Sequence, residues 1–188
     1  MSNFMKVNYN KTNKRIIEEY ERLKNDPNQN IGLTVGMPDK NNIFEWQAII
    51  RGPPDTSYSD GIFFLSIKFP VDYPEHCPEV CFKNPIYHIN VNPIKSNLPG
   101  DEPLGHVSFS KLNLWKPEYK MIDVLANIYE LFYEANPVSA YGLERVDEYK
   151  LNRSLYERKI YYFTKKYANP KDDNIKIDYD ESWDFSYV

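Results

Sequence analysis

Between residues 43 and 69 the apolar side chains recur with a period of two, and on either side of that stretch they recur with the spacing of helices. This switch constrains the fold more than any other feature of the chain. In IFEWQAII (43–50), Phe44, Trp46, Ala48 and Ile50 fall on one side of an extended backbone. In IFFLSIKF (62–69), Phe63, Leu65, Ile67 and Phe69 do the same, which is the pattern of strands with one face in a core. Between them, RGPPDTSYSDG supplies the Pro, Asp, Ser and Gly of a tight connection. The change of period begins near residue 31, and EVCF (79–82) predicts a further short strand. Short strands in series with brief connections predict an antiparallel meander of four strands, because parallel pairing needs a long return.

Helical spacing flanks this block. Ile16, Ile17, Tyr20 and Leu23 share one face of residues 11–26, and Asp26-Pro27 ends that helix. After Pro117, Ile122, Leu125, Ile128 and Phe132 mark a second helix that stops before Asn136-Pro137. A segment near 142–149 carries weak helical signals, and Ile160, Phe163 and Tyr167 mark a last helix ending at Asn169-Pro170. Helix, sheet, irregular region and helices in that order predict an α+β fold, and 188 residues fit one domain. The irregular region, about 84–106, holds four prolines, two glycines and four asparagines in NPIYHINVNPIKSNLPGDEPLG. A loop of that length inside a compact domain tends to be functional.

Charge narrows the function classes. The chain has 23 basic and 27 acidic residues, net −4, and residues 170–188 alone hold six acids against two lysines. No basic stripe points to nucleic acid, and no apolar run is long enough to span a membrane. The tail reads as a solvated extension or, through Trp183, Phe185 and Tyr187, as a docking segment. Two cysteines, Cys77 and Cys81, form no disulfide framework and suit a reducing compartment, so cytoplasm or nucleus is expected. Both are expected to pack in or beside the sheet. No cofactor motif is present, and His76, His88, His106 and the cysteines have no zinc spacing, so neither cofactor nor metal is expected.

Read one at a time, the remaining motifs are ambiguous. YPEHCPEV (73–80) reads as a rigid turn after a strand. Asn90 is either a donor to developing negative charge or a turn residue. Ser108 and Ser110 lack an obvious base, although His106 alternates onto the side of Ser108 in an extended run.

Their order is specific. FEWQAIIRGPPDTSYSDGIFFLSIKFPVDYPEHCPEV, then IYHIN, GHVSF, LWKP and ELFYEANP, together resemble the ubiquitin-conjugating enzymes. The resemblance spans about residues 11–169 and leaves 170–188 as an acidic aromatic tail. It implies that family's fold and its partners: ubiquitin or a ubiquitin-like protein, an activating enzyme, and a ligase or an active conjugating enzyme. The family carries its modifier as a thioester on one cysteine, and at that place, in Gly105-His106-Val107-Ser108-Phe109, this chain has Ser108. The family's His-Pro-Asn triplet reads His88-Ile89-Asn90 here, and Ser139, after Val138, falls at a site-flanking position that is often acidic or polar. Lys14 and Arg15 match residues that meet the activating enzyme. Glu75, Pro117 and Glu118 match the ligase-facing turns, with acids where small or apolar residues are common. The loop between Asn90 and Gly105 is longer than usual. The interval from Ser108 to Trp115 is one residue short, which makes Ser110 the fallback position.

A hydroxyl needs far stronger activation than a thiol, so thioester relay is not expected at Ser108. The expected protein is a ubiquitin-pathway variant that binds or regulates. The alternative is an active conjugating enzyme in which Ser108 replaces the cysteine by design. Asn90 and Ser108 are expected at the mouth of a shallow groove, with the 91–104 loop beside or over it.

Overall fold

The structure is a computed structural model that describes residues 3–25, 32–93, 95 and 101–169. Helix α1 (Asn3–Lys24) leads into strands β1 (Leu33–Gly36), β2 (Glu45–Arg51), β3 (Ile62–Lys68) and β4 (Glu79–Phe82). Each strand pairs antiparallel with the next in the order β1-β2-β3-β4, so the meander expected from the alternation is present. A single turn, α2 (Ser110–Asn113), is followed by α3 (Met121–Leu131), a 3₁₀ turn at Pro137–Ser139, α4 (Leu143–Leu151) and α5 (Arg153–Tyr167). The architecture is α+β.

The period-two residues set the register. Trp46 pairs with Ile67, Ala48 with Leu65 and Ile50 with Phe63, and all six side chains are buried on one face. That face is covered by α1 and α3. Ile16 and Leu23 of α1 are buried, and Tyr20 meets the Trp46 ring edge-on at 5.4 Å between centroids. From α3, Met121, Val124, Leu125 and Ile128 are buried. Phe132, just beyond its end, packs against Phe63 and Tyr58 at 5.1 and 4.9 Å. Burying each such ring contributes about 2–3 kcal/mol, so α3 is fixed firmly over the sheet. Ile17, expected on the inner face of α1, is 45% exposed; its neighbour Ile16 takes the core position one 100° step away. Cys81 is buried on β4, but Cys77 is exposed, a correction to the expectation for both thiols. Pro74 and Pro78 bracket Cys77 in a surface turn rather than in the sheet.

The irregular region differs most from a loop. Residues 84–92 are all buried, and buried backbone must be paired. Side chains and distant backbone supply the partners here. Tyr58 donates its hydroxyl to the Tyr87 carbonyl (2.9 Å), the Ile89 N–H donates to the Tyr156 hydroxyl (3.1 Å), and the Tyr141 N–H donates to the Ile89 carbonyl (2.7 Å). Tyr156 reaches this segment from α5, so the last helix helps hold the stretch that carries His88 and Asn90. The acidic tail and residues 94 and 96–100 of the long loop lie outside the described residues.

Candidate functional site

Ser108 is placed by two short backbone contacts. The Val107 N–H donates to the Val80 carbonyl of β4 (2.9 Å), and the Ser108 N–H donates to the Asn90 carbonyl (2.9 Å). Gly105 opens this run with φ +78°, and a Cβ there would lie 2.2 Å from the Phe82 carbonyl oxygen. Only glycine fits so close an approach. The two motifs recognised in the sequence therefore lie side by side, joined through backbone.

The side chains of the HIN triplet turn elsewhere. The Asn90 carboxamide is fully buried. It donates to the carbonyls of Asn136 (2.8 Å) and Ser139 (2.9 Å) and accepts from the Asn136 N–H (2.8 Å). Both its donors are thus spent on the 136–139 turn. His88 is also buried: its Nε2 faces the Leu131 carbonyl at 2.9 Å, and its Nδ1 accepts from the Asn90 N–H at 2.9 Å. That pattern requires a neutral ring with the proton on Nε2. Burial holds its pKa down to about 4, so His88 is no proton donor or acceptor at neutral pH. Ser139 joins the site through its carbonyl.

Around the Ser108 hydroxyl the structure places groups that the sequence did not flag. Asn113, at the end of α2, brings Nδ2 to 3.1 Å and Oδ1 to 3.4 Å from Oγ. The Tyr141 phenol also interacts with the Ser108 hydroxyl; burial and the bonded Glu102 carboxylate raise its pKa. Tyr141 donates to Glu102 and faces His106 Nδ1 at 2.8 Å. This cluster clasps the returning limb of the long loop, whose base is closed by Asn92 Nδ2 donating to the Glu102 carbonyl (2.8 Å). No spacing in the sequence announces Asn113, Tyr141 or Glu102, because they converge from three separate segments.

Ser110, the fallback, instead accepts from Asn136 Nδ2 at 3.2 Å. It lines an open groove of about 590 Å³ with Phe109, Lys111, Glu130, Tyr133 and Pro137. Ser108 and Asn90, although adjacent, are not among that groove's lining residues; the serine that lines it is Ser110. Cys81 is paired with His106 across an isolated bridge, and burial pushes its thiol up to about 12. Partial desolvation by the surrounding turn also raises Cys77, although it reaches solvent. A protonated thiol is a poor nucleophile, and burial in β4 holds Cys81 in that form.

The other sequence-marked residues form two surfaces. Lys14 is exposed on α1, 3.7 Å from Glu18. Arg15 turns inward: it pairs with Glu19 and donates to the Tyr119 carbonyl at 3.0 Å. Glu75, Pro117 and Glu118 are exposed, and their two turns are tied together by Trp115 Nε1 donating to the Pro74 carbonyl at 2.7 Å.

Residues 15–164 match the family model described as ubiquitin-conjugating enzyme. The chain belongs to the ubiquitin-conjugating enzyme family. It is 39% identical over 132 residues to the Arabidopsis thaliana protein named "Probable ubiquitin-conjugating enzyme E2 31", covering 70% of this chain and 79% of that one. It is also similar to a crystal structure from Plasmodium yoelii assigned to the ubiquitin conjugating enzymes. There the TM-score is 0.69 at 28% identity, over 84% of this chain and 96% of the other. Membership implies interaction with ubiquitin, activating enzyme and ligase in general terms.

Proposed function

We propose that this family member lacks thioester activity and works by binding: it engages ubiquitin or a ubiquitin-like protein together with an activating enzyme, a ligase or an active conjugating enzyme. The observation that carries this reading is the surroundings of the Ser108 hydroxyl. A serine nucleophile needs a base that takes its proton. The neighbours here are the Asn113 carboxamide, which is not basic, and the Tyr141 phenol, whose proton is engaged by Glu102. His106 faces Tyr141 rather than Ser108. Lys14, and the paired turns bearing Glu75, Pro117 and Glu118, remain exposed for partners in the family's manner.

The test is incubation of the full chain with activating enzyme, ATP and ubiquitin. The reading expects neither a reductant-sensitive thioester nor an alkali-sensitive, reductant-resistant ester on Ser108, together with measurable binding to an active conjugating enzyme or to activating enzyme. An ester at Ser108 that turns over onto lysine would refute it.

A further inference from the structure

The family's sequence pattern directs attention to Asn90 as the amide that meets charge at the reactive position, but its carboxamide is consumed three times over in the 136–139 turn. The amide that touches the atom at position 108 belongs to Asn113. We infer that Asn113, and not Asn90, is the hydrogen-bond donor to the side-chain atom at position 108 and to negative charge formed there. This rests on the assignment of Ser108 to the family's reactive position.

Three observations support it. First, Asn113 Nδ2 lies 3.1 Å from Ser108 Oγ, inside the ordinary range for a donated hydrogen bond. Second, Asn113 is held where its reach is short. It closes the turn of α2, with its N–H donating to the Phe109 carbonyl at 3.0 Å, while its side chain is exposed. A carboxamide so placed rotates without disturbing the core. Third, the turn that carries Asn113 is fixed on its far side: the Leu114 N–H donates to the Ser110 carbonyl at 2.9 Å, and Trp115 is anchored to the Pro74 carbonyl at 2.7 Å. A donor aimed at an atom favours the anionic form of that atom. Asn113 is therefore a positioning residue for Ser108, and in a Ser108→Cys chain it would favour the thiolate.

The test is the pH profile of alkylation at position 108 by iodoacetamide in the full-length Ser108→Cys chain. Cys77→Ser is included to remove the exposed thiol. Three proteins are compared: with Asn113 intact, with Asn113→Ala and with Asn113→Asp. The titratable group that interacts with position 108 is Tyr141, with Glu102 and His106 bonded to it; all three stay in place. Asn113→Ala is expected to move the midpoint of the profile up by about one unit, a tenfold change in thiolate equilibrium. Asn113→Asp, which substitutes negative charge for the donor, is expected to move it further. An unchanged midpoint in Asn113→Ala overturns the inference, as does an Asp variant indistinguishable from Ala. The assay uses no activating enzyme or modifier, so its outcome is separate from any charging result.

Discussion

Replacing Asn90 by alanine should cost stability first and site chemistry only as a consequence. The side chain makes three hydrogen bonds of 2.8–2.9 Å and is fully buried. Truncation leaves the Asn136 and Ser139 carbonyls and the Asn136 N–H without their partner. Each lost bond is worth about 1 kcal/mol net, and more where the remaining group stays dry. The sum is about 3 kcal/mol, a drop in Tm of roughly 6–12 °C for a chain of this size. Urea unfolding of wild type and Asn90→Ala, followed by tyrosine and tryptophan fluorescence, measures it. Asn90→Asp should be at least as damaging, since a carboxylate would face two carbonyls. A loss below about 1 kcal/mol would refute the structural assignment of this carboxamide and return Asn90 to solvent or substrate.

Two further predictions concern the core. His88 is neutral in the folded chain with a pKa near 4, against about 6.5 when unfolded. Below pH 6.5 the unfolded state therefore binds the extra proton, and its stabilising share is lost as pH falls from 6.5 toward 4. Unfolding free energies at pH 7 and pH 4.5 should differ by 2 kcal/mol or so more for wild type than for His88→Gln; equal differences would contradict the neutral buried ring. Glu19, nearly buried, accepts from Arg15, from the Tyr73 hydroxyl (2.9 Å) and from the Met121 N–H (2.6 Å). Glu19→Ala should destabilise by about 3 kcal/mol, roughly 1 for each of the three lost bonds, in the same urea assay; Arg15→Ala should also destabilise, because it leaves the buried Glu19 carboxylate without its cation.

How far the sequence could be read depended on whether a feature was periodic. The strands were legible because Trp46, Ala48 and Ile50 alternate, and the same alternation fixed their register against Ile67, Leu65 and Phe63. Residues 84–92 were not legible as core. Their burial is made possible by Tyr58, Tyr141 and Tyr156, which are distant in the chain and fulfil the backbone's hydrogen bonds. The same limit applied at the site. Ser108 and Asn90 could be placed beside one another by motif order, but the direction of the Asn90 carboxamide depends on where the 136–139 turn settles. The inward turn of Arg15 was not legible either: its partner Glu19 lies one turn on, and the Tyr119 carbonyl arrives from more than a hundred residues away.

The most direct measurement is a charging assay with activating enzyme, ATP and ubiquitin, comparing this chain with Ser108→Cys, each resolved with and without reductant. If Ser108 occupies the family's reactive position and its hydroxyl alone prevents charging, the native chain stays unmodified and Ser108→Cys gains one reductant-sensitive ubiquitin. If neither form charges, more than the hydroxyl closes the site and the reading as a binding partner stands; a ubiquitin adduct on the native chain that turns over onto lysine would contradict the account.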